Sequence, residues 1–287
     1  MKPSMNNMHK AVEFLNVLPP MPKIAQEILS INLATDEGDE LLLKLIVKDP
    51  AISARIIGLA NSPLFHASGK ILTVSDAATV LGIKRIKMIA LSFAMTSVLA
   101  RKPAGLLDVM QLWQHNMAVA MAMDVLSKAM PSEIRPTDEE THLAGLLHDI
   151  GFLVLDYVDP ELSNRFHSRL AAEGGRLLAT EVEAQMLEMN HCELGALLAG
   201  HWNLTSSIIA VLRDHHSVAV PKDTARQPLI AMTNLAERLL PTFGMTESVA
   251  TDIEIGEWQA LGIAADRVAE IEAGMRRCVD EIVSILD

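Results

Sequence analysis

Apolar side chains recur at helical spacing along almost the whole chain. In "KIAQEILSI", from Lys23 to Ile31, the positions Ile24, Ile28 and Ile31 follow the i, i+4, i+7 rule of one helix face. The Pro-rich "LPPMP" before them fixes backbone angles that end any preceding helix. The same spacing predicts helices at "DELLLKLIVKD" and at "PAISARIIGLANS", where Pro50 suits a first turn. After a break at "NSPLF" come "TVSDAATVLG" and "IKRIKMIALSFAMTSVLA", with Gly82 as the cap between them. No run of alternating β-branched and polar residues bounded by turn dipeptides marks a strand. The predicted fold class is all-α.

The mixed stretch "RKPAGLLD", residues 101–108, reads as a boundary between two lobes, 1–105 and 106–287. Beyond it the helices change character. Residues 108–129 and 138–158 are apolar on most faces, as central helices buried on several sides are. Thr137 with Glu140, and Thr180 with Glu183, read as capping boxes that start helices. Further helices are predicted at 191–201, 205–215 and 226–240, then an amphipathic tail over 264–286.

Composition narrows the function classes. Half of the 287 residues are hydrophobic and only 3% aromatic, so the core is built from aliphatic side chains, Ala and Met. The 16 methionines and the tryptophans Trp113 and Trp202 read as core, and "KRIK", Lys84 to Lys87, as a solvated face. With 36 acidic against 24 basic residues the net charge is −12, which repels a polyphosphate backbone, so no nucleic-acid partner is expected. Cys192 and Cys278 form neither a CxxC nor a disulfide framework, which predicts a reducing, cytoplasmic setting. "MKPSMNNMHK" lacks the apolar core of an export signal, and the apolar run Ile89–Ala100 is too short to span a bilayer, so no membrane association is expected.

Five of the ten histidines fall in a suggestive series with two carboxylates. His115 lies in "WQHNMAVA", His148 and Asp149 in "LAGLLHDIGFLVL", His191 opens "HCELGALLAG", His215 and His216 end "VLRDHH", and Glu237 lies in "NLAERLL". Imidazoles and carboxylates from several helices of one bundle can converge on a metal ion. Each also has a plainer reading. His148 and Asp149 could be a buried structural pair, since a buried carboxylate needs partners of some kind. His191 could be only a helix-start residue, His215 and His216 could interact with a helix C-terminus, and Glu237 reads alone as a solvated helix charge. His9, His66, His142, His167 and His201 carry no supporting context.

The phrases "LPPMP", "LIVKDPAISARIIGLANSPLF", "AATVLGIKRI", "LWQHNMAVA", "LAGLLHDIGFLVL", "HCELGALLAGHWNL", "VLRDHH" and "LAERL" together resemble the HDOD family of bacterial signalling domains. The resemblance covers roughly residues 15–240 and makes the chain a relative of the HD superfamily of metal-dependent phosphohydrolases. It implies an N-terminal helical bundle followed by an HD-like helical bundle. It further implies metal positions at His115, His148, Asp149, His191, His215 and His216, with Glu237 where the HD-GYP branch closes its site with aspartate. Phe152 stands where a lysine usually follows "HDIG", Gln111 replaces an acidic residue one turn before His115, and "GYP" does not follow "HH". In such hydrolases the lysine steadies charge developing on a phosphoryl group that metal ions polarise.

Two functions follow as expectations from the resemblance. The first is a signalling or regulatory module, non-catalytic or weakly active, holding one or two divalent transition-metal ions (Fe, Mn, Ni or Zn) and acting through protein partners, a nucleotide or a cyclic dinucleotide. The second is a working phosphohydrolase of a cyclic dinucleotide or nucleotide phosphodiester, with Asp149 in the catalytic centre. A plain helical adaptor, with the histidines as core polar groups, is the third reading of the residues themselves.

Overall fold

A computed structural model describes residues 14–61, 69–100, 105–217, 227–240 and 252–283. Among the described residues every regular element is helical and no strand occurs. The chain has the all-α fold that its periodicity predicts. The break at "NSPLF", the start of "RKPAGLLD", His9, His66, the segment after Ser217 and the last residues of the tail lie wholly or partly outside the described residues. None of the described helices is long and apolar enough to cross a membrane.

The chain divides into two compact units, one made mainly of residues 20–99 and the other mainly of residues 100–279. The smaller unit contains α1 (Lys23–Ser30), α2 (Asp36–Val47), α3 (Pro50–Ala60), α4 (Val74–Leu81) and α5 (Ile83–Ser97). Side-chain caps set its helix starts. Thr35 accepts from the Gly38 N–H, Asp49 accepts from Ala51 and Ile52 just before Pro50, and Thr73 accepts from Asp76. Gly82, at φ +82°, ends α4 and lets α5 begin at once. The interior is aliphatic: Ile28, Leu42, Ile46, Ile56, Ile86 and Met95 are fully buried. Lys87, expected on a solvated face, is half-buried and donates to the Ile31 carbonyl at 2.7 Å. Its ammonium satisfies the acceptor left over at the end of α1.

The larger unit is organised around α6 (Val109–Ala129), whose residues from Leu112 to Met123 are all buried. It continues through α7 (Asp138–Leu147), α8 (Ile150–Val158), α9 (Pro160–Glu173), α10 (Ala179–Met186), α11 (His191–His201), α12 (Ser206–Asp214) and α13 (Pro228–Leu239). It then includes α14 (Ile255–Ala260) and α15 (Val268–Val283). Helix α6 packs against α7 and α13, and α11 packs against α8 and α12. Trp113 and Trp202 are buried as core anchors, and the Trp202 indole donates to the Pro19 carbonyl at 3.0 Å. Most described methionines of the larger unit, including Met117, Met123, Met232 and Met275, are core residues.

Two readings of the pattern are corrected. Residues 138–158 form two helices, not one, with His148 closing α7 and Asp149 preceding α8 at φ −100° and ψ 12°. A continuous apolar pattern hid the break, because both helices are buried and keep the same helical period. The second correction concerns Thr180 and Glu183. Helix α10 starts at Ala179, and Glu181 reaches back to the Leu178 N–H at 2.8 Å, which puts Thr180 inside the first turn. Glu183 is freed from any capping role and turns inward. Thr137 does cap α7, accepting from the Glu140 N–H at 3.2 Å.

Candidate metal centre

Five elements of the larger unit supply the candidate side chains. His115 projects from the middle of α6, His148 and Asp149 from the α7–α8 junction, His191 from the first position of α11, His215 and His216 from the end of α12, and Glu237 from α13. The break before α8 aims the His148–Asp149 pair at the start of α11. Gly151 makes this approach possible: a Cβ there would lie 1.8 Å from the His191 carbonyl oxygen. His148, Asp149, His191 and His215 are 0% exposed, and His115 and Glu237 are 1% exposed. The solvated-charge reading of Glu237 is thereby overturned.

Asp149 stands between two pairs of imidazoles. Its Oδ2 is 3.3 Å from His148 Nε2 and 3.7 Å from His115 Nε2, while its Oδ1 is 3.3 Å from His215 Nε2 and 3.5 Å from His191 Nε2. The ring nitrogens are equally close to one another: 3.3 Å for His115 and His148, 3.4 Å for His191 and His215, and 2.9 Å for His191 and His216. Glu237 Oε1 lies 3.4 Å from His216 Nδ1. No oxygen of Asp149 or Glu237 accepts a hydrogen bond. Four buried carboxylate oxygens without one are costly unless something else neutralises them.

The outer edges of the imidazoles are held. His148 Nδ1 donates to the Gly145 carbonyl at 2.9 Å, and His215 Nδ1 faces the Val211 and Leu212 carbonyls at 3.2 and 3.1 Å. A carbonyl only accepts, so each Nδ1 carries a hydrogen, and Nε2, the nitrogen that faces Asp149, is the atom that the neutral ring would offer to a metal ion. His191 Nδ1 lies 2.8 Å from both oxygens of Glu183, which also accepts from the His191 backbone N–H at 2.8 Å. Carboxylate or carbonyl behind the ring, lone pair in front, is how ligating histidines are oriented.

These spacings fit a metal site. Bonds of about 2.1 Å at angles from octahedral to tetrahedral separate adjacent nitrogen or oxygen ligands by about 3.0–3.4 Å. Three overlapping groups have all their donor atoms within 4.8 Å: His115, His148 and Asp149; Asp149, His215, His216 and Glu237; and His191, Cys192, His215 and His216. Asp149 is shared by the first two groups, so the donors present suit one or two ions.

Proton affinities in the cluster are interdependent. Burial works to raise the Asp149 pKa, but the imidazoles facing it, His148 first, hold it well below the usual carboxylate range. Burial also opposes the charged form of His148, and Asp149 more than compensates, raising it. Burial, then the charge of Asp149, pushes Glu237 up to about 8. Burial, followed by the neighbouring imidazoles, drives His216 well below the ordinary histidine value. A divalent cation would relieve the carboxylate repulsion that these shifts express.

Phe152 replaces the lysine expected on this side of the centre. It is 2% exposed and its ring stacks on His191, with centroids 4.2 Å apart and planes 20° apart. Gln111, one turn before His115, is half-buried. Two participants went unread in the sequence: Glu183, taken for a cap, and Cys192, whose Sγ lies 3.4 Å from His191 Nε2. The recoverable signal for Glu183 was its place four residues after Ala179 and one after Val182, on the buried stripe of α10.

The HDOD domain model matches residues 18–218 of this chain. The chain belongs to the HDOD family. A candidate signal-transduction protein from Marinobacter aquaeolei VT8 superposes with a TM-score of 0.71 at 23% identity, covering 98% of this chain and 65% of that one. A candidate phosphohydrolase from Shewanella amazonensis SB2B superposes with a TM-score of 0.65 at 23% identity, covering 96% and 98% of the two chains. These likenesses are of fold. An uncharacterized protein of Treponema pallidum (strain Nichols) is 26% identical over 237 residues, or 80% of this chain. The chain spans 44% of that relative's length.

Proposed function

We propose that this HDOD protein is a regulatory module of a bacterial signalling pathway. Its larger unit holds one or two divalent transition-metal ions, from among Fe, Mn, Ni and Zn, and it turns over phosphodiesters slowly or not at all. The observation that carries this reading is the closure of the centre. Of the seven candidate ligands only His216, with its side chain 16% exposed, reaches solvent, while the other six are 0–1% exposed. A bound ion would supply Lewis acidity to a phosphoryl group, but the residues around it leave such a group little approach. Phe152, stacked on His191, also removes the cation that would balance charge developing during transfer. Input then comes through protein partners, or through a nucleotide or cyclic dinucleotide reaching the His216 side. The net charge of −12 favours partners with basic surfaces over nucleic acid.

One observation favours the second reading, a metal-dependent phosphohydrolase. Asp149 offers one oxygen to each pair of imidazoles, which suits a carboxylate shared by two ions and the clamp that two-metal phosphoryl chemistry uses.

Elemental analysis of untagged protein, with His148→Ala in parallel and a phosphodiesterase assay on cyclic dinucleotides, separates them. One or two equivalents of metal, lost in the variant, with no turnover is the expected result. Sustained turnover abolished by His148→Ala overturns the regulatory reading. Absence of metal from both samples overturns both readings.

A further inference from the structure

Cys192 follows His191 in the first turn of α11 and is 4% exposed. Its Sγ stands 3.4 Å from His191 Nε2, within the group formed with His215 and His216. That one nitrogen therefore has four close polar neighbours: Cys192 Sγ at 3.4 Å, His215 Nε2 at 3.4 Å, His216 Nε2 at 2.9 Å and Asp149 Oδ1 at 3.5 Å. An imidazole nitrogen either donates one hydrogen or accepts one. A thiol hydrogen shared with His191 would account for the first contact and leave the other three unexplained.

A single ion held by Cys192, His191, His215 and His216, whose donor atoms all lie within 4.8 Å of one another, accounts for the contacts to Cys192, His215 and His216. With about 2.1 Å to nitrogen and about 2.3 Å to sulfur, angles from octahedral to tetrahedral place a sulfur about 3.1–3.6 Å from a nitrogen on the same ion. Asp149 Oδ1 lies outside that group but independently marks its imidazoles as facing a place for positive charge: it is buried, accepts no hydrogen bond, and stands 3.5 Å from His191 Nε2 and 3.3 Å from His215 Nε2.

We infer that Cys192 is a sulfur ligand of the centre, on the side formed by His191, His215 and His216, and that this side takes a thiophilic divalent ion, zinc before manganese. The inference rests on the metal-centre reading above. On binding, the S–H bond breaks, a sulfur–metal bond forms, and the proton leaves to solvent. Thiolate ligands select zinc over the manganese and magnesium that oxygen ligands favour.

The test loads the metal-stripped protein with cobalt(II) and records its near-ultraviolet spectrum. Sulfur-to-cobalt charge transfer is expected in the wild type and in Cys278→Ser, whose thiol sits in α15 and contacts the Gly274 carbonyl, and is expected to vanish in Cys192→Ser. Zinc affinity relative to manganese should fall in Cys192→Ser by at least the roughly tenfold that loss of an outer-shell partner costs. Cobalt retained without the band overturns the sulfur ligand and leaves the metal centre standing. Failure to retain cobalt overturns the centre as well. If Cys192→Ser does not fold, X-ray absorption at the cobalt edge of the wild type decides: a sulfur scatterer at about 2.3 Å supports the inference, and a shell of nitrogen and oxygen alone overturns it.

Discussion

Glu183 holds His191 by three contacts of 2.8 Å, two from its carboxylate oxygens to Nδ1 and one from the His191 backbone N–H. Both residues are 0% exposed, so the carboxylate fixes the start of α11 and the direction in which the imidazole faces. Outer-shell carboxylates of this kind raise ligand basicity and fix the tautomer. Glu183→Gln keeps the shape but removes the charge. It is expected to lower metal affinity by about 10–100-fold, read by competitive titration against a chromophoric chelator. An unchanged affinity would mean that His191 is not a ligand.

Metal removal should destabilise the protein more than a loss of bonds on a surface would. The oxygens of Asp149 and Glu237 accept no hydrogen bonds, and both carboxylates are enclosed. An ion bound only by the folded chain at 100 times its dissociation constant stabilises by about 2.7 kcal/mol. Chelator treatment is therefore expected to lower the melting temperature by several degrees, with readdition of metal restoring it. Equal melting temperatures with and without chelator would favour the plain helical adaptor.

How far the sequence carries to this centre differs residue by residue. The all-α class was legible because helical periodicity survives in buried helices as well as amphipathic ones. The seven candidate residues were legible as a series, yet their convergence was not, since no spacing within one helix encodes contacts among α6, α11 and α13. The break between His148 and Asp149 was invisible, because two buried helices in succession present one uninterrupted apolar text. Glu183 was misassigned because a Thr-x-x-Glu phrase mimics a capping box two residues out of place. Glu237 looked like a surface charge for want of its surroundings: Thr233, Asn234, Leu235 and Ala236 beside it are all buried.

Phe152 is more than an absent lysine. Its ring lies 4.2 Å from that of His191 and 6.0 Å from that of Phe166, inside the core. Phe152→Lys would remove this packing and bury an ammonium among aromatic rings. It is expected to cost more than the roughly 3–5 kcal/mol of a Phe→Ala truncation, with reduced metal retention and no gain in phosphodiesterase rate. Urea denaturation of Phe152→Lys against Phe152→Leu measures the excess. Restored turnover in a stable Phe152→Lys protein would show that the lost cation alone keeps the centre inactive.

His167 gives the molecule a pH dependence outside the candidate ligands. Burial against Phe152 and Phe166 lowers its pKa to about 4, despite the charge of Glu183, and its Nε2 has no hydrogen-bond partner. The unfolded chain, with an ordinary value near about 6.5, binds the proton more readily. Its contribution to stability is complete above that value and is lost as pH falls toward the folded-state value, by up to about 1.4 kcal/mol per pH unit. Denaturant midpoints at pH 7.5 and pH 5 should therefore differ less in His167→Leu than in the wild type. An identical pH response in the two proteins would remove His167 as the source.

Arg238 links the centre to α14. Its guanidinium contacts Glu257 at 2.6 Å and the Asn234 side-chain oxygen at 3.0 Å, and the Asn234 amide donates to the His215 carbonyl at 2.7 Å. Asn234 is 5% exposed, so the link to the end of α12 is buried, while the Arg238–Glu257 pair at the α14 end is partly open to solvent. Hydrogen bonds to a charged group contribute about 1.5–3 kcal/mol each, and a network of this kind is not additive. Asn234→Ala should weaken metal binding because it releases the backbone that presents His215 and His216. Arg238→Ala should weaken it less, since Asn234 keeps its own bond to His215. A double-mutant cycle on metal affinity is expected to give a coupling of about 0.5–3 kcal/mol between the two positions. Strict additivity would mean that Arg238 secures only α14, and that the His215 carbonyl is held by Asn234 alone.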